Sequence, residues 1–270
     1  MRGALRVLPL LTATHRYDKS LSTRHRGAGV TIEAPILAWL VETSQGRILF
    51  DVGCDYRKIA DPVACARHYD PDTFAFGAPV MTEEDRLPRH LARLGLTTAD
   101  VDAVFLSHLH FDHAGGLCDL CDASGGPEIQ VQRAELEAAR TGADPACFAD
   151  EFDGAPARLW RWKVMHGEYD LLPGVRAVAS PGHTAGHMSL WVELPAGSPV
   201  VLCGDAADLQ ENLDDEVAPG LCWQDRVDEA VASIRRLKSL AAAERAELWP
   251  NHDMAFYRRL ADRGFRAAGD

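Results

Sequence analysis

Four side chains able to bind a cation fall within six positions in the run Ser107-His108-Leu109-His110-Phe111-Asp112-His113-Ala114-Gly115-Gly116. Neutral imidazole nitrogens and carboxylate oxygens are natural donors to zinc and related divalent ions. Burying three histidines and an aspartate together without a counter-charge carries a desolvation penalty, so the run points to a metal rather than to a polar loop. Three further places offer partners: Pro181-Gly182-His183-Thr184-Ala185-Gly186-His187, Cys203-Gly204-Asp205 and Asn251-His252-Asp253. Any one of them alone is weak. Cys118-Asp119-Leu120-Cys121 has C-x-x-C spacing but no second pair, so neither a structural zinc nor a redox role is expected there. His187, four residues after His183, reads as a hydrogen-bonded structural group.

Each of these segments follows a short apolar run that reads as a buried strand, and open α/β sheets place ligands at such strand ends. The runs are Ile36 to Val41, Ile48 to Phe50, Val101 to Leu106, Ile129 to Val131, Val175 to Ala179, Met188 to Val192 and Val200 to Cys203. Gln45-Gly46 between the first two predicts a hairpin. Over 226–241 the apolar residues Val227, Ala230, Val231, Ile234, Leu237 and Leu240 recur at three- and four-residue steps, which predicts an amphipathic helix. A second helix is expected to start at Asp85, because Pro88 is tolerated only in a first turn, and to stop near Gly95. His15 to Ala34 and Pro145 to Trp162 fit no element, and loops of that length often shape binding sites.

The chain has 270 residues, 47% apolar and 25% charged, an ordinary globular mix that excludes disordered and fibrous architectures. With 28 basic against 40 acidic residues its formal charge is −12. Long-range repulsion then opposes binding to nucleic acid or to an anionic membrane, so neither is expected as a partner. No apolar run approaches the length of a spanning helix. Seven cysteines are an odd number, which no fully disulfide-bonded monomer can use; a reducing compartment, the cytoplasm, is expected. The opening Met1 to Leu11 is interrupted by Arg6 and Pro9 and reads as a first strand rather than a signal peptide. Strands come in two batches with helices in both and no linker between, so residues 1–270 are expected to form one domain of two sheet-and-helix halves.

The H-x-H-x-D-H run followed by a distant His, an Asp and a final His resembles the metallo-β-lactamase superfamily. More narrowly, the chain resembles the N-acyl homoserine lactonase family, in Met81-Thr82-Glu83-Glu84-Asp85-Arg86, Ser107 to Gly116, Val131-Gln132-Arg133, Pro173-Gly174-Val175, Pro181 to Leu190 and Glu211-Asn212-Leu213-Asp214-Asp215-Glu216. The likeness spans about residues 35 to 254. It implies an αββα sandwich, two mixed sheets flanked by helices. It also implies a metal-dependent hydrolase that opens the lactone ring of N-acyl homoserine lactones with a hydroxide held between two divalent ions. Zinc is the first expectation, with manganese, iron and cobalt open. By the same likeness His108, His110 and His183 hold one ion, Asp112, His113 and His252 the other, and Asp205 bridges them. Asp112 then takes the proton of the attacking water and delivers it to the leaving oxygen. Asp51 either orients a ligand imidazole from behind or caps the turn at Gly53.

Where the family usually carries a tyrosine, three residues after the bridging aspartate, this chain has Asp208. As a protonated group Asp208 could donate to an oxyanion; it could equally point away, or recognise a different substrate. That departure keeps other lactones, esters or thioesters open as substrates, along with a binding protein that has lost turnover. Phe148, Phe152, Trp160 and Trp162 either line an acyl-chain pocket or pack on the core, and Phe111 packs below the ions or borders the substrate. A homodimer is left open.

Overall fold

The computed structural model describes residues 4–122, 125–195 and 197–262. The first sheet holds β1 (Ala4–Asp18), β2 (Thr31–Thr43), β3 (Gly46–Phe50), β4 (Ala103–Phe105), β5 (Glu128–Gln132) and β6 (Trp162–Met165), side by side in chain order. β1, β2 and β3 pair antiparallel, and β3 to β6 pair parallel. The second sheet holds β7 (Tyr169–Leu172), β8 (Val175–Ala179), β9 (Met188–Val192), β10 (Val200–Leu202) and β11 (Glu247–Trp249). Its order is β11-β10-β9-β8-β7, with only β10 and β11 parallel. Both sheets are mixed, as expected.

Between the strands lie α1 (Tyr56–Ala60), α2 (Pro62–His68), α3 (Leu87–Arg93), α4 (Phe111–Ala114), α5 (Leu117–Leu120) and α6 (Arg133–Ala139). The later helices are α7 (Gln210–Asp215), α8 (Val227–Glu244) and α9 (Met254–Asp262).

Period-two alternation sorts the strand residues into layers. Leu37, Trp39, Val41, Ile48, Phe50 and Phe105 of the first sheet meet Val175, Ala177, Leu190, Val192, Val200 and Leu202 of the second in one core. On the outer face of the first sheet, Ala38, Leu40, Leu49, Val104 and Ile129 pack on Leu87 and Leu91 of α3, Leu117 of α5 and Leu136 of α6. The outer face of the second sheet sets Val178, Val201 and Cys203 against Ile234 and Leu237 of α8. The layers therefore run helix, sheet, sheet, helix.

Several local expectations are corrected. β1 runs on to Asp18 and β2 begins at Thr31, so most of His15 to Ala34 is sheet or its immediate flank. The bulge between Leu11 and Ala13 breaks the alternation that would have betrayed this strand. The helix expected from Asp85 begins at Leu87, because Thr82 and Asp85 close a separate short turn over Glu83–Asp85; Pro88 does lie in its first turn. β6 and β7 had no clear sequence signal: they are partly exposed edge strands without a continuous apolar run.

Candidate metal centre

All the singled-out His and Asp segments leave strands at one edge of the sandwich. β3 ends just before Asp51, β4 leads to Ser107–His113, the β8–β9 turn carries His183, β10 ends before Asp205 and β11 before His252. Local sequence explains two awkward turns. Gly182 lies at φ +136°, and a Cβ there would stand 2.4 Å from the Ala230 Cα of α8, so only glycine lets the His183 turn sit against that helix. Asp51 takes φ +58° without being glycine. Its carboxylate accepts the Ser107 N–H at 2.7 Å and the Ser107 hydroxyl at 2.7 Å, which holds the strained backbone in place.

Asp205 sits at the centre with its two oxygens facing different imidazoles. Oδ2 lies 3.4 Å from His183 Nε2 and 3.8 Å from His108 Nε2. Oδ1 lies 3.3 Å from His113 Nε2 and 3.2 Å from His252 Nε2. Asp112 stands 3.7 Å from both His113 Nε2 and His252 Nε2. His110 turns its Nδ1 inward, 3.1 Å from His183 Nε2. His108, His110, His183 and Asp205 are grouped closely enough to share one ion, as are Asp112, His113 and His252.

Every one of these rings is held by its outward nitrogen. Asp144 accepts from His110 Nε2 at 3.0 Å and Asp51 from His113 Nδ1 at 2.8 Å. The carbonyls of Leu221 and Pro35 accept from Nδ1 of His183 and His252, at 3.1 and 2.8 Å, and the Ser107 hydroxyl meets His108 Nδ1 at 2.8 Å. Such partners fix each tautomer and leave the inner lone pair free. His108 Nε2 and His113 Nε2 are buried without a hydrogen-bond partner, and the facing nitrogens of His110 and His183 cannot both accept from one another. One cation at His108, His110 and His183 and a second at His113 would satisfy all four.

The electrostatics agree. Burial pulls His183 down to about 4, and burial with three neighbouring imidazoles holds His108 well below its usual value. Burial also opposes charge on His113 and His252. There the carboxylates outweigh it, Asp205 foremost, raising His113 well above normal and His252 to about 10. The field that favours an imidazolium at those rings equally favours a metal. Among the described residues, no Lys or Arg pairs with Asp112, Asp205 or Asp208. The donor set fits divalent metal ions.

Comparisons with known proteins agree with this geometry. Residues 32–252 match the family model described as the metallo-beta-lactamase superfamily. An N-acyl homoserine lactonase of Bacillus cereus is 34% identical over 241 residues, 88% of each chain. The N-acyl homoserine lactonase AttM of Azorhizobium caulinodans is 30% identical over 241 residues, 85% of this chain and 86% of the relative. This chain belongs to the N-acyl homoserine lactonase family of the metallo-beta-lactamase superfamily. A solved N-acyl homoserine lactone hydrolase, with the product N-hexanoyl-L-homoserine bound at its catalytic metal centre, superposes at a TM-score of 0.81. It shares 28% identity, over 95% of this chain and 96% of its own.

Around this lactonase-family centre, other singled-out residues divide. Of the two readings of Asp51, its 2.8 Å contact with His113 Nδ1 fits the first, behind a ligand imidazole. His187 is structural: buried, pushed down to about 3 by burial, it accepts the Asp205 N–H on Nε2 at 2.9 Å. Asp208 does not point away. It is 4% exposed, and burial together with Asp205 raises its carboxyl well above the usual range. Cys121 lies in the apolar core, and the C-x-x-C pair joins no donor group among the described residues.

A cavity of about 440 Å³ opens beside His183, lined by Phe74, Phe76, Asp144, Ala146, Leu221 and Trp223. None of Phe111, Phe148, Phe152, Trp160 and Trp162 lines it. Phe152 and Trp160 pack on the outer core of the first sheet, while Phe111 and Phe148 form an aromatic cluster with Tyr69 and Phe74 behind the cavity. Trp223 was not foreseen; its N–H bonds to the carbonyls of Gly182 and His183, at 2.8 and 3.0 Å, and so ties the cavity wall to the metal centre.

Sequence reasoning also missed Asp144 and Glu135. Glu135, 2% exposed on α6, accepts the backbone N–H groups of Leu109 and Gly186, each at 3.0 Å, and so joins the two turns that carry His108–His113 and His183. Nothing local marks it, since its partners lie 26 and 51 residues away. Asp144 adjoins the long stretch flagged from Pro145, which was the only hint.

Proposed function

We propose that this protein hydrolyses N-acyl homoserine lactones to N-acyl homoserines, using two divalent ions, zinc first among them. His108, His110, His183 and one oxygen of Asp205 would hold one ion, and Asp112, His113, His252 and the other oxygen the second. Two cations held there would supply a nucleophilic water at neutral pH and Lewis acidity at the lactone carbonyl. Asp112, its carboxylate facing His113 and His252, accepts a proton as that water adds to the carbonyl carbon. When the ring C–O bond breaks, Asp112 returns the proton to the leaving oxygen, so no group on the protein is left covalently modified. His110 and His113 are kept in register for this by Asp144 and Asp51. The acyl chain is received by Phe74, Phe76 and Trp223.

The observation that carries this reading is the carboxylate of Asp205, each oxygen turned to its own pair of imidazoles, one of which, His183, also lines an apolar cavity. A lactone panel followed by pH-stat, before and after chelation, tests it. Ring opening is expected to vanish in EDTA and to return with zinc or manganese. Each methylene that enters the cavity should raise kcat/KM up to about fourfold, from roughly 0.8 kcal/mol per buried CH₂. Full turnover by metal-free protein, or no ring opening by the loaded protein, overturns it.

We also infer a single domain, supported by the core shared between the sheets, and residence in a reducing compartment such as the cytoplasm, supported by seven free cysteines. Among the described residues no helix is long and apolar enough to cross a membrane.

A further inference from the structure

We infer that Asp208 is itself a metal-holding residue, a third carboxylate on the side of the centre formed by Asp112, His113 and His252. This rests on the two-ion reading above. A carboxylate oxygen of Asp208, one of Asp205 and a ring nitrogen of His252 all lie within 4.8 Å of one another, a span that a single ion can bridge. The backbone holds Asp208 there. Its carbonyl accepts the His252 N–H at 2.8 Å and the Ala207 carbonyl accepts the Asn251 N–H at 3.1 Å, so the segments after β10 and β11 stay zipped together. Asp208 is buried, its Oδ1 has no hydrogen-bond partner, and no Lys or Arg among the described residues pairs with it. A buried carboxylate oxygen left bare is costly, and an ion at Oδ1 would remove that cost.

The two sides of the centre then differ in chemistry. His108, His110 and His183 with one oxygen of Asp205 make a nitrogen-rich side. Asp112, Asp205 and Asp208 with His113 and His252 make an oxygen-rich one. Imidazole suits zinc, whereas carboxylate oxygens suit harder ions such as manganese(II). The protein is thus built to prefer a mixed pair, with the harder ion beside Asp208.

The test loads metal-free full-length protein with an equimolar mixture of zinc and manganese and counts both by mass spectrometry, for wild type, Asp208→Asn and Asp208→Tyr. Competition against a chelator gives each affinity. Wild type should hold two ions per chain. Both variants should lose at least about tenfold in affinity for one ion only, with a falling share of manganese. Cobalt(II) absorption provides a second readout, since losing a carboxylate ligand changes the coordination number and the band intensity. If wild type holds two ions and both variants match it in affinity, manganese share and cobalt spectrum, Asp208 is no ligand although the two-ion reading stands. If wild type holds fewer than two ions at saturation, the two-ion reading fails and takes this inference with it. A loaded protein that ignores acyl homoserine lactones would discard the substrate and leave the ligand assignment intact.

Discussion

Two buried clusters of charge in this molecule solve the same electrostatic problem in opposite ways. Near α1, Lys58 Nζ lies 2.7 Å from Glu151 and 2.9 Å from Asp150, with Lys58 and Glu151 each 5% exposed, and it rests 5.0 Å over the ring of Phe148. The chain supplies its own cation there. At the metal centre Asp205 and Asp208 are buried and Asp112 is partly buried, among imidazoles and the Asn251 amide, with no Lys or Arg partner among the described residues. A buried carboxylate needs a counter-charge or hydrogen bonds to both oxygens, as Glu135 has from two backbone N–H groups. Where the sequence provides a lysine the cluster is structural, and where it provides only neutral donors the cluster is shaped for an ion from outside.

The largest effect should come from the residue common to both sides of the centre. Asp205→Ala is expected to release both ions and to lower turnover by about a thousandfold or more, since metal assistance is worth several kcal/mol. Full metal occupancy of this variant by elemental analysis would break the contrast. Lys58→Met should leave metal content unchanged but destabilise the fold by about 3–5 kcal/mol in urea titrations, because it strands Glu151. The loss should be smaller at pH 6 than at pH 9. Burial pushes the Glu151 carboxyl up to about 8 even beside Lys58, from an ordinary value of 4.5. The folded state therefore keeps a proton that the unfolded chain releases, and stability falls as pH rises through that window. Equal losses at both pH values would show that Glu151 is not desolvated.

Removing both ions should cost about as much as stranding Glu151. At a hundred times Kd a bound ion stabilises the fold by about 2.7 kcal/mol, so EDTA should lower Tm in wild type and leave it unmoved in Asp205→Ala. Smallest are the carboxylates behind the rings. Asp51→Asn and Asp144→Asn should each weaken metal binding about 10–100-fold, the first through His113 and the second through His110. If each variant weakens both ions equally, the two sides of the centre are not independent.

Much of this architecture could be read from local pattern. β8 and β9 fall at Val175–Ala179 and Met188–Val192, as their apolar runs predict, because each carries only one polar residue, Arg176 and Ser189, among apolar ones. α8 follows its three- and four-residue stripe. β6 and β7 escaped because edge strands keep exposed residues. At the site, His108 to His113 announce themselves by density alone. Whether Phe152 and Trp160 line a pocket or pack on the core stays open in the sequence, since an aromatic side chain carries no mark of which way it faces; they pack on the core.

The sequence by itself determined which donors exist, at which strand ends they emerge and that they need a cation, because donor chemistry and hydrophobic period are local properties. Only the tertiary structure decided that Asp205 turns one oxygen to each pair of imidazoles, that Asp144 and Asp51 lock the rings, and that Glu135 ties two distant turns together. It also decided that Asp208 faces Asp205 and His252. Those are relations between segments far apart in the chain, created when two sheets pack and their strand ends meet at one edge.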